Sequence, residues 1–322
     1  MKFIDVDQQQ SLVFNSIATP TISEKECLVK VKAIGVNRAD ILQRAGQYPP
    51  PKGESTVLGI EISGEIVACG DQVTNKAVGD KVCGLVPGGG YAEYVRVKAD
   101  HLIELPAHYD YVQGAALAET FLTAYQCLFS IASLKPNERV LIHAGASGVG
   151  TAAIQLAKAK QAYVVVTTSN QEKAQACLAL GADHVINYKD TDFVDYCKDK
   201  ALSFDVIIDV VAGDYLSKNV NVAALDGRIV ILSMLGGRYC EQLDVAKLLM
   251  KRLCISATTL RNRSDHYKSE LVSEFLQQFS ALIIKDEIKP VIDSTLPWQQ
   301  AEQAHQILMT NQNIGKVVLT LD

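Results

Sequence analysis

The stretch from residue 119 to residue 257 alternates short apolar runs with helix-length segments, and this alternation limits the possible folds more than anything else in the chain. "RVLIHAG", "AYVVVTTS", "HVINY", "FDVIIDVV", "GRIVILSML" and "RLCISATTL" read as strands, and "GVGTAAIQLAKAK" and "NQEKAQACLALGA" as the helices after the first two. Unbroken valine and isoleucine leave a strand no solvent face, so these strands belong in a sheet covered on both sides. A βαβα order makes that sheet parallel. The expected unit is a doubly wound α/β domain, residues 119–257, with a nucleotide site at the carboxyl ends of its strands.

The flanking segments have a different texture. "CLVKVKAIGV", "GIEISGEIVACG", "GDKVCGLV" and "YAEYVRV" are short β-branched runs separated by glycine and proline, with loops at "PPPKGEST" and "VPGGG". That pattern predicts a compact, barrel-like β-rich unit. The tail after residue 257 is too short to bury a core of its own, so it is expected to cross back and join the first 118 residues. "AALAETFLTAYQCLFSIASL" reads as one helix leading into the nucleotide domain.

At 322 residues two domains are the natural division, and a net charge of −5 offers no basic field to nucleic acid or an anionic membrane. "MKFIDVDQQQ" lacks the basic and then apolar segments of a signal peptide, and no uncharged apolar run reaches the ~20 residues of a membrane span. A cytoplasmic protein is expected. Its eight cysteines are never closer than 14 positions and its six histidines form no His-Glu-x-x-His pattern, so no metal site is expected.

The chemistry starts at "HAGASGVGTAAIQLAK", where a strand runs into glycines and then a helix. Gly145 is expected to permit the tight turn, Gly148 to let the backbone approach a pyrophosphate, and Gly150 to let the helix pack on the strand. Ser147, Gly148, Val149 and Gly150 then line an anion site at the positive end of the helix. An NAD site places Asp or Glu at the end of the next strand, whereas this strand ends Thr168-Ser169-Asn170. A carboxylate would repel a 2′-phosphate, and the hydroxyl of Ser169 with the cation of Lys173 would welcome one. Tyr188, at the end of the third strand, adds a phenol. NADPH is the expected cofactor.

In its ordered motifs the chain resembles the zinc-independent, ζ-crystallin-like quinone oxidoreductases of the medium-chain dehydrogenase/reductase superfamily, and in particular the branch of the p53-inducible quinone oxidoreductase. These motifs are "GVNRADILQRAGQYPPP", "LGIEISGEI", "VGDKVCGLVPGGGYAEYV", "ETFLTAYQCLF", "VLIHAGASGVGTAAIQLAK", "LGADHVINY" and "NIGKVVL". The resemblance implies a GroES-like domain from residues 1–118 and 258–322 around an inserted Rossmann domain, and a homodimer through the edge strand "RLCISATTL". Zinc-dependent relatives carry Gly-His-Glu where this chain has Gly59-Ile60-Glu61, and cysteine where it has Asn37. Without a Lewis acid, alcohol oxidation gives way to substrates that are already electrophilic, quinones or conjugated enones.

The same resemblance implies that Tyr48 orients a quinone and that Asn37 contacts substrate or nicotinamide ribose. It places Thr123 by the nicotinamide, Ser233, Met234, Leu235 and Gly236 along the cofactor crossover, and Thr259, Leu260, Arg261 and Lys316 at the closing edge. Two other functions compete with quinone reduction. One is reduction of activated carbon–carbon double bonds, as in 2-alkenal or enoyl reductases. The other is a crystallin-like or RNA-binding role, which the acidic charge and the lack of a basic–aromatic stripe oppose.

Overall fold

In the computed structural model, which describes residues 1–321, the chain divides into two compact units. Unit 1 takes Met1–Leu122 and Leu260–Asp322, and unit 2 takes Thr123–Thr259.

Unit 1 opens with the hairpin of β1 (Lys2–Val6) and β2 (Leu12–Ser16). It continues through β3 (Glu26–Val36), α1 (Arg38–Arg44), β4 (Glu61–Cys69), β5 (Lys81–Leu85), β6 (Tyr94–Lys98) and β7 (Leu102–Glu104). Helices α2 (Tyr111–Ala115) and α3 (Ala118–Tyr125) follow; α3 runs on through a π-helical stretch, Gln126–Ile131, so the one helix expected from "AALAETFLTAYQCLFSIASL" forms and α2 lies just before it. Asp110 caps α2 by accepting from Gln113 N–H at 2.8 Å, which starts a separate short helix upstream of α3. The first unit boundary falls inside α3, four residues beyond the expected 118.

Unit 2 is a six-stranded parallel sheet. Its elements are β8 (Arg139–Ile142), α4 (Gly148–Ala159), β9 (Tyr163–Thr168), α5 (Gln171–Ala179), β10 (His184–Asn187), α6 (Phe193–Asp199), β11 (Phe204–Asp209), α7 (Tyr215–Val222), β12 (Ala223–Ile231), α8 (Val245–Lys251) and β13 (Cys254–Ala257). The strand order is β10-β9-β8-β11-β12-β13, with every pairing parallel. The strand order reverses between β8 and β11, the first half being wound outward one way and the second half the other, which makes that point the crevice where such folds take ligands. Val140, Leu141, Val164, Val165, Val166, Ile207, Ile208 and Ile229 are all buried, as their runs require. Strand β13 is an outer edge, and Thr258 N–H still pairs with Ile231 O beyond its end, so the unit closes at Thr259.

The chain returns to unit 1 with α9 (Asp265–Ile284), β14 (Ile292–Pro297), α10 (Ala301–Met309) and β15 (Lys316–Thr320). Strand β15 pairs antiparallel with β3 and completes the sheet order β14-β15-β3-β4-β5-β7, with β6 also on β3. The tail thus carries Lys316 onto the strand that ends at Val36, beside Asn37. Among the described residues no helix is long and apolar enough to cross a membrane.

Candidate active site

In unit 2 the glycine turn carries the features of an anion cradle. Ser147 caps α4, its Oγ accepting from Gly150 N–H at 3.0 Å, and Thr151 N–H bonds Ser147 O at 2.8 Å. The amides of Gly148 and Val149 are left with no acceptor among the described residues, at the positive end of a 12-residue helix. Two of the glycines work differently from the sequence expectation. The left-handed residue of the turn is Ala144, at φ 53°, not Gly145. Gly145 is small because a Cβ there would meet Val166 Cβ at 2.6 Å, and Gly150 because its Cβ would strike the backbone of Gly145 at 2.6 Å. Gly150 therefore packs against its own turn, not against the strand.

Parallel pairing of β10 on β9 sets Asn187 opposite Thr168, and Tyr188 N–H bonds Thr168 O at 3.0 Å. Ser169 and Tyr188 thereby come to adjacent strand ends, and Lys173 lies in the first turn of α5 just after Ser169. Asn170 caps α5 through Lys173 N–H at 2.8 Å, so no carboxylate stands at the strand end. Thr168 Oγ1 is buried there with no hydrogen-bond partner, an orphaned polar atom where a nucleotide ribose would lie. The cradle and the orphaned hydroxyl fit a nicotinamide dinucleotide.

Of the other unit 2 residues named from sequence, all but Thr123 lie on loops after strands. Ser233 is half-buried and Met234, Leu235 and Gly236 are exposed; Leu235 and Gly236 N–H groups bond Val210 O and Val211 O at 3.2 and 2.7 Å. Thr259 is exposed after β13, and Thr123 is buried in α3.

Unit 1 contains a cluster that sequence reasoning saw only in pieces. Lys316 Nζ sits 2.8 Å from Glu61 Oε2, with both side chains essentially buried. The same ammonium donates to Asn37 Oδ1 and to Val36 O at 2.5 and 3.1 Å. Asn37 Nδ2 donates to Gly35 O at 2.9 Å and Glu61 Oε2 at 3.3 Å, and Glu61 Oε1 accepts Glu119 N–H at 2.8 Å. Lys316 and Asn37 are thus engaged with each other inside unit 1. Gly35 must lack a side chain, since a Cβ would press into Glu61 Oε2 and Ala115 O.

Beside this cluster Asp40 is fully buried and accepts Asn37 N–H at 2.8 Å, Gly59 N–H at 3.2 Å and Tyr91 O–H at 3.3 Å. Burial raises its carboxyl to about 6, against the lowering effect of the Asn37 and Gly59 amide bonds and of the Lys316 and Arg261 charges. Tyr91 Oη also meets His305 Nε2 at 3.0 Å, and Arg44 Nη1 lies 3.5 Å from His305 Nδ1. Burial, with help from Arg44, pushes His305 down to about 4.

Tyr48 is half-buried in its loop, and the Arg261 guanidinium lies over its ring at 5.5 Å. Arg261 also donates to Pro87 O at 2.7 Å, Gln43 Oε1 at 2.7 Å and Tyr48 O at 3.4 Å. The arginine, named as a cofactor contact, is within unit 1 the clamp of the Tyr48 loop. Leu260 beside it is buried. The residues that sequence reasoning missed are Asp40, Tyr91 and His305 here and His143, Asp209 and Asn219 in unit 2. Only His143 and Asp209 carry a visible signal, a polar side chain ending an apolar strand in "RVLIHAG" and "FDVIIDVV".

Two family models match the chain: an alcohol dehydrogenase GroES-like domain over residues 23–107 and a zinc-binding dehydrogenase over residues 148–278. The mouse quinone oxidoreductase is 32% identical over 317 residues, covering 95% of this chain and 92% of that protein. The zebrafish synaptic vesicle membrane protein VAT-1 homolog is 31% identical over 94% of this chain, which spans 66% of that relative's length. Among solved structures, Escherichia coli quinone oxidoreductase complexed with NADPH superposes at a TM-score of 0.87 with 29% identity, over 99% of both chains. CurK enoyl reductase superposes at 0.87 with 25% identity, over 100% of this chain and 99% of that one.

Proposed function

This chain belongs to the medium-chain dehydrogenase/reductase superfamily of oxidoreductases, and on that premise we propose that it is an NADPH-dependent quinone oxidoreductase working without zinc. The observation that carries the reading is the state of Glu61. Both of its oxygens are engaged by Lys316, Asn37 and the Glu119 amide, and its neighbour Ile60 offers no metal ligand. A cluster so saturated supports positioning of an already electrophilic substrate rather than polarisation by a Lewis acid.

A bound nicotinamide would supply the reducing equivalents. The residues proposed to hold the cofactor are Ser147 to Gly150 at the pyrophosphate and Ser169, Lys173 and Tyr188 at the 2′-phosphate. By family likeness Thr123 is proposed beside the nicotinamide, Ser233 to Gly236 along the crossover to it, and Thr259 and Leu260 at the closing edge of the site. Tyr48 would orient the quinone by its hydroxyl or its ring, with Arg261 fixing the ring plane. Asn37 and Lys316 would act through Glu61 as positioning residues.

Steady-state turnover of ortho- and para-quinones against 2-alkenals, with NADPH and NADH, tests this. Quinone turnover with NADPH preferred is expected, and Lys173→Glu should weaken NADPH by roughly 10–100-fold, the size of one charge-assisted bond. Alkene reduction without quinone turnover would favour the second reading, for which the CurK enoyl reductase likeness speaks. A homodimer through β13 is part of the proposal, supported by Ile255 at that edge and by Leu249 and Met250 exposed on α8. Sedimentation equilibrium should show a dimer that Ile255→Lys dissociates; a monomeric wild-type chain would remove it.

A further inference from the structure

We propose that a one-way chain of buried hydrogen bonds, Thr167–His143–Asn219–Asp209, spans the switch point of the parallel sheet and holds the two loops that grip the dinucleotide in one register. The proposal rests on the cofactor reading above and adds the residues that make the site rigid. His143, Asn219 and Asp209 are fully buried and Thr167 almost so, yet none is used by the reaction or by the cofactor contacts already assigned.

The direction of every link follows from donor and acceptor chemistry. Asp209 Oδ1 accepts the N–H groups of Val211 and Ala212 at 2.7 and 2.9 Å, and Oδ2 accepts Asn219 Nδ2 at 2.9 Å. That bond orients the amide, so Asn219 Oδ1 faces His143 Nε2 at 2.7 Å and must receive its proton. Burial lowers the His143 pKa, which keeps the ring neutral, so Nδ1 is an acceptor. Thr167 Oγ1, 3.1 Å from Nδ1, therefore donates to it, and the same oxygen accepts Ala144 N–H at 3.3 Å. Every side-chain nitrogen and oxygen along the chain has a partner.

The two ends matter most. Ala144 and Ala212 both adopt left-handed backbone, at φ 53° and 57°, a conformation uncommon for residues with a side chain. Ala144 opens the glycine turn on β8, and Ala212 lies in the loop after β11, across the switch point. The second loop passes the constraint on, since Val210 O and Val211 O accept from Leu235 and Gly236 and Ala212 bridges Gly237. The phosphate turn and the Ser233–Gly236 loop are thus tied through four side chains. The ring of His143 is wedged edge-on between Phe193 and Tyr215, at 4.9 and 5.0 Å, which prevents it from swinging out of line.

These are positioning residues, and their signature is a loss that grows with how much of the crevice a ligand spans. The test compares NADPH with adenosine 2′,5′-bisphosphate, which fills only the adenosine half, by calorimetric titration of the full chain alongside Tm. Thr167→Val, which is isosteric, and Asn219→Leu should each raise the NADPH Kd about 10-fold, while the bisphosphate changes by less than about 3-fold. Thr167→Ser keeps the hydroxyl and should bind both ligands as wild type does. Equal losses for the two ligands, or a fall in Tm with unchanged NADPH affinity, would mean the chain is merely structural. A wild-type protein that binds neither NADPH nor NADH would sink the cofactor reading itself, and this proposal with it.

Discussion

Each unit buries a series of polar groups, and the two series are built on different principles. In unit 2 the Thr167–His143–Asn219–Asp209 chain is closed, with both ends on backbone amides and a neutral ring in the middle. In unit 1 the Arg44–His305–Tyr91–Asp40 series opens on solvent, because the carboxylate on Arg44, that of Glu302, is 63% exposed. Beside it stands a full ion pair, Lys316 with Glu61. The closed chain suits a site that must keep one shape around a cofactor. The charged cluster keeps its geometry only while every partner is present.

The largest effect should come from breaking that pair. Lys316→Met leaves Glu61 buried with only Asn37 Nδ2 and the Glu119 amide, and should cost about 3–5 kcal/mol of unit 1 stability. Adding Glu61→Gln removes the stranded charge and should recover more than half of that loss. Trp298, the only tryptophan, lies buried in the unit 1 core, so its fluorescence in urea follows this unit directly. A loss below about 1 kcal/mol would mean the pair is effectively solvated, as surface pairs are.

How much of this could be read beforehand depends on the range of the interactions. The parallel sheet announced itself because burial on both faces forces continuous apolar runs at Val164–Val166 and Val206–Ile208. The edge position of "RLCISATTL" was legible only through the family resemblance, and the return of the tail to unit 1 because the tail is too short to bury a core of its own. Helix α6 was not, since "FVDYCKD" is short and only Phe193 and Cys197 mark its inner face. The left-handed turn residue was misplaced on Gly145, because an alanine held there by Thr167 leaves no local signal. The polar series were invisible for a related reason: His143 meets Asn219 76 positions away, and Tyr91 meets His305 214 away. Arg261 illustrates the cost. The family resemblance put it at the closing edge of the cofactor site, and its role in clamping the Tyr48 loop left no local signal, because its partners Gln43, Tyr48 and Pro87 are 174 or more positions distant.

A smaller effect separates the two kinds of chain by pH. Asp40 is raised by burial from 3.8 to about 6, so the folded state holds its proton more tightly than the unfolded chain does. Its contribution is fully present below about pH 4 and lost as pH rises through 6, about 3 kcal/mol in all. His305 is lowered by burial and Arg44 from 6.5 to about 4, which reverses the sign. Its contribution is fully present above about pH 6.5 and lost as pH falls towards 4, again about 3 kcal/mol. In the wild-type chain the two slopes nearly cancel between pH 4 and 6. Asp40→Asn should expose the histidine slope, with stability falling on acidification, and His305→Gln the aspartate slope, with stability rising. Urea midpoints read from Trp298 at intervals from pH 4 to 7 measure both. His143 in unit 2 has a histidine slope of its own, but it is common to all three proteins and drops out of their differences. If the two variants track the wild-type profile in parallel, Asp40 and His305 do not titrate as the buried geometry requires, and the contrast between an open and a closed chain fails with them.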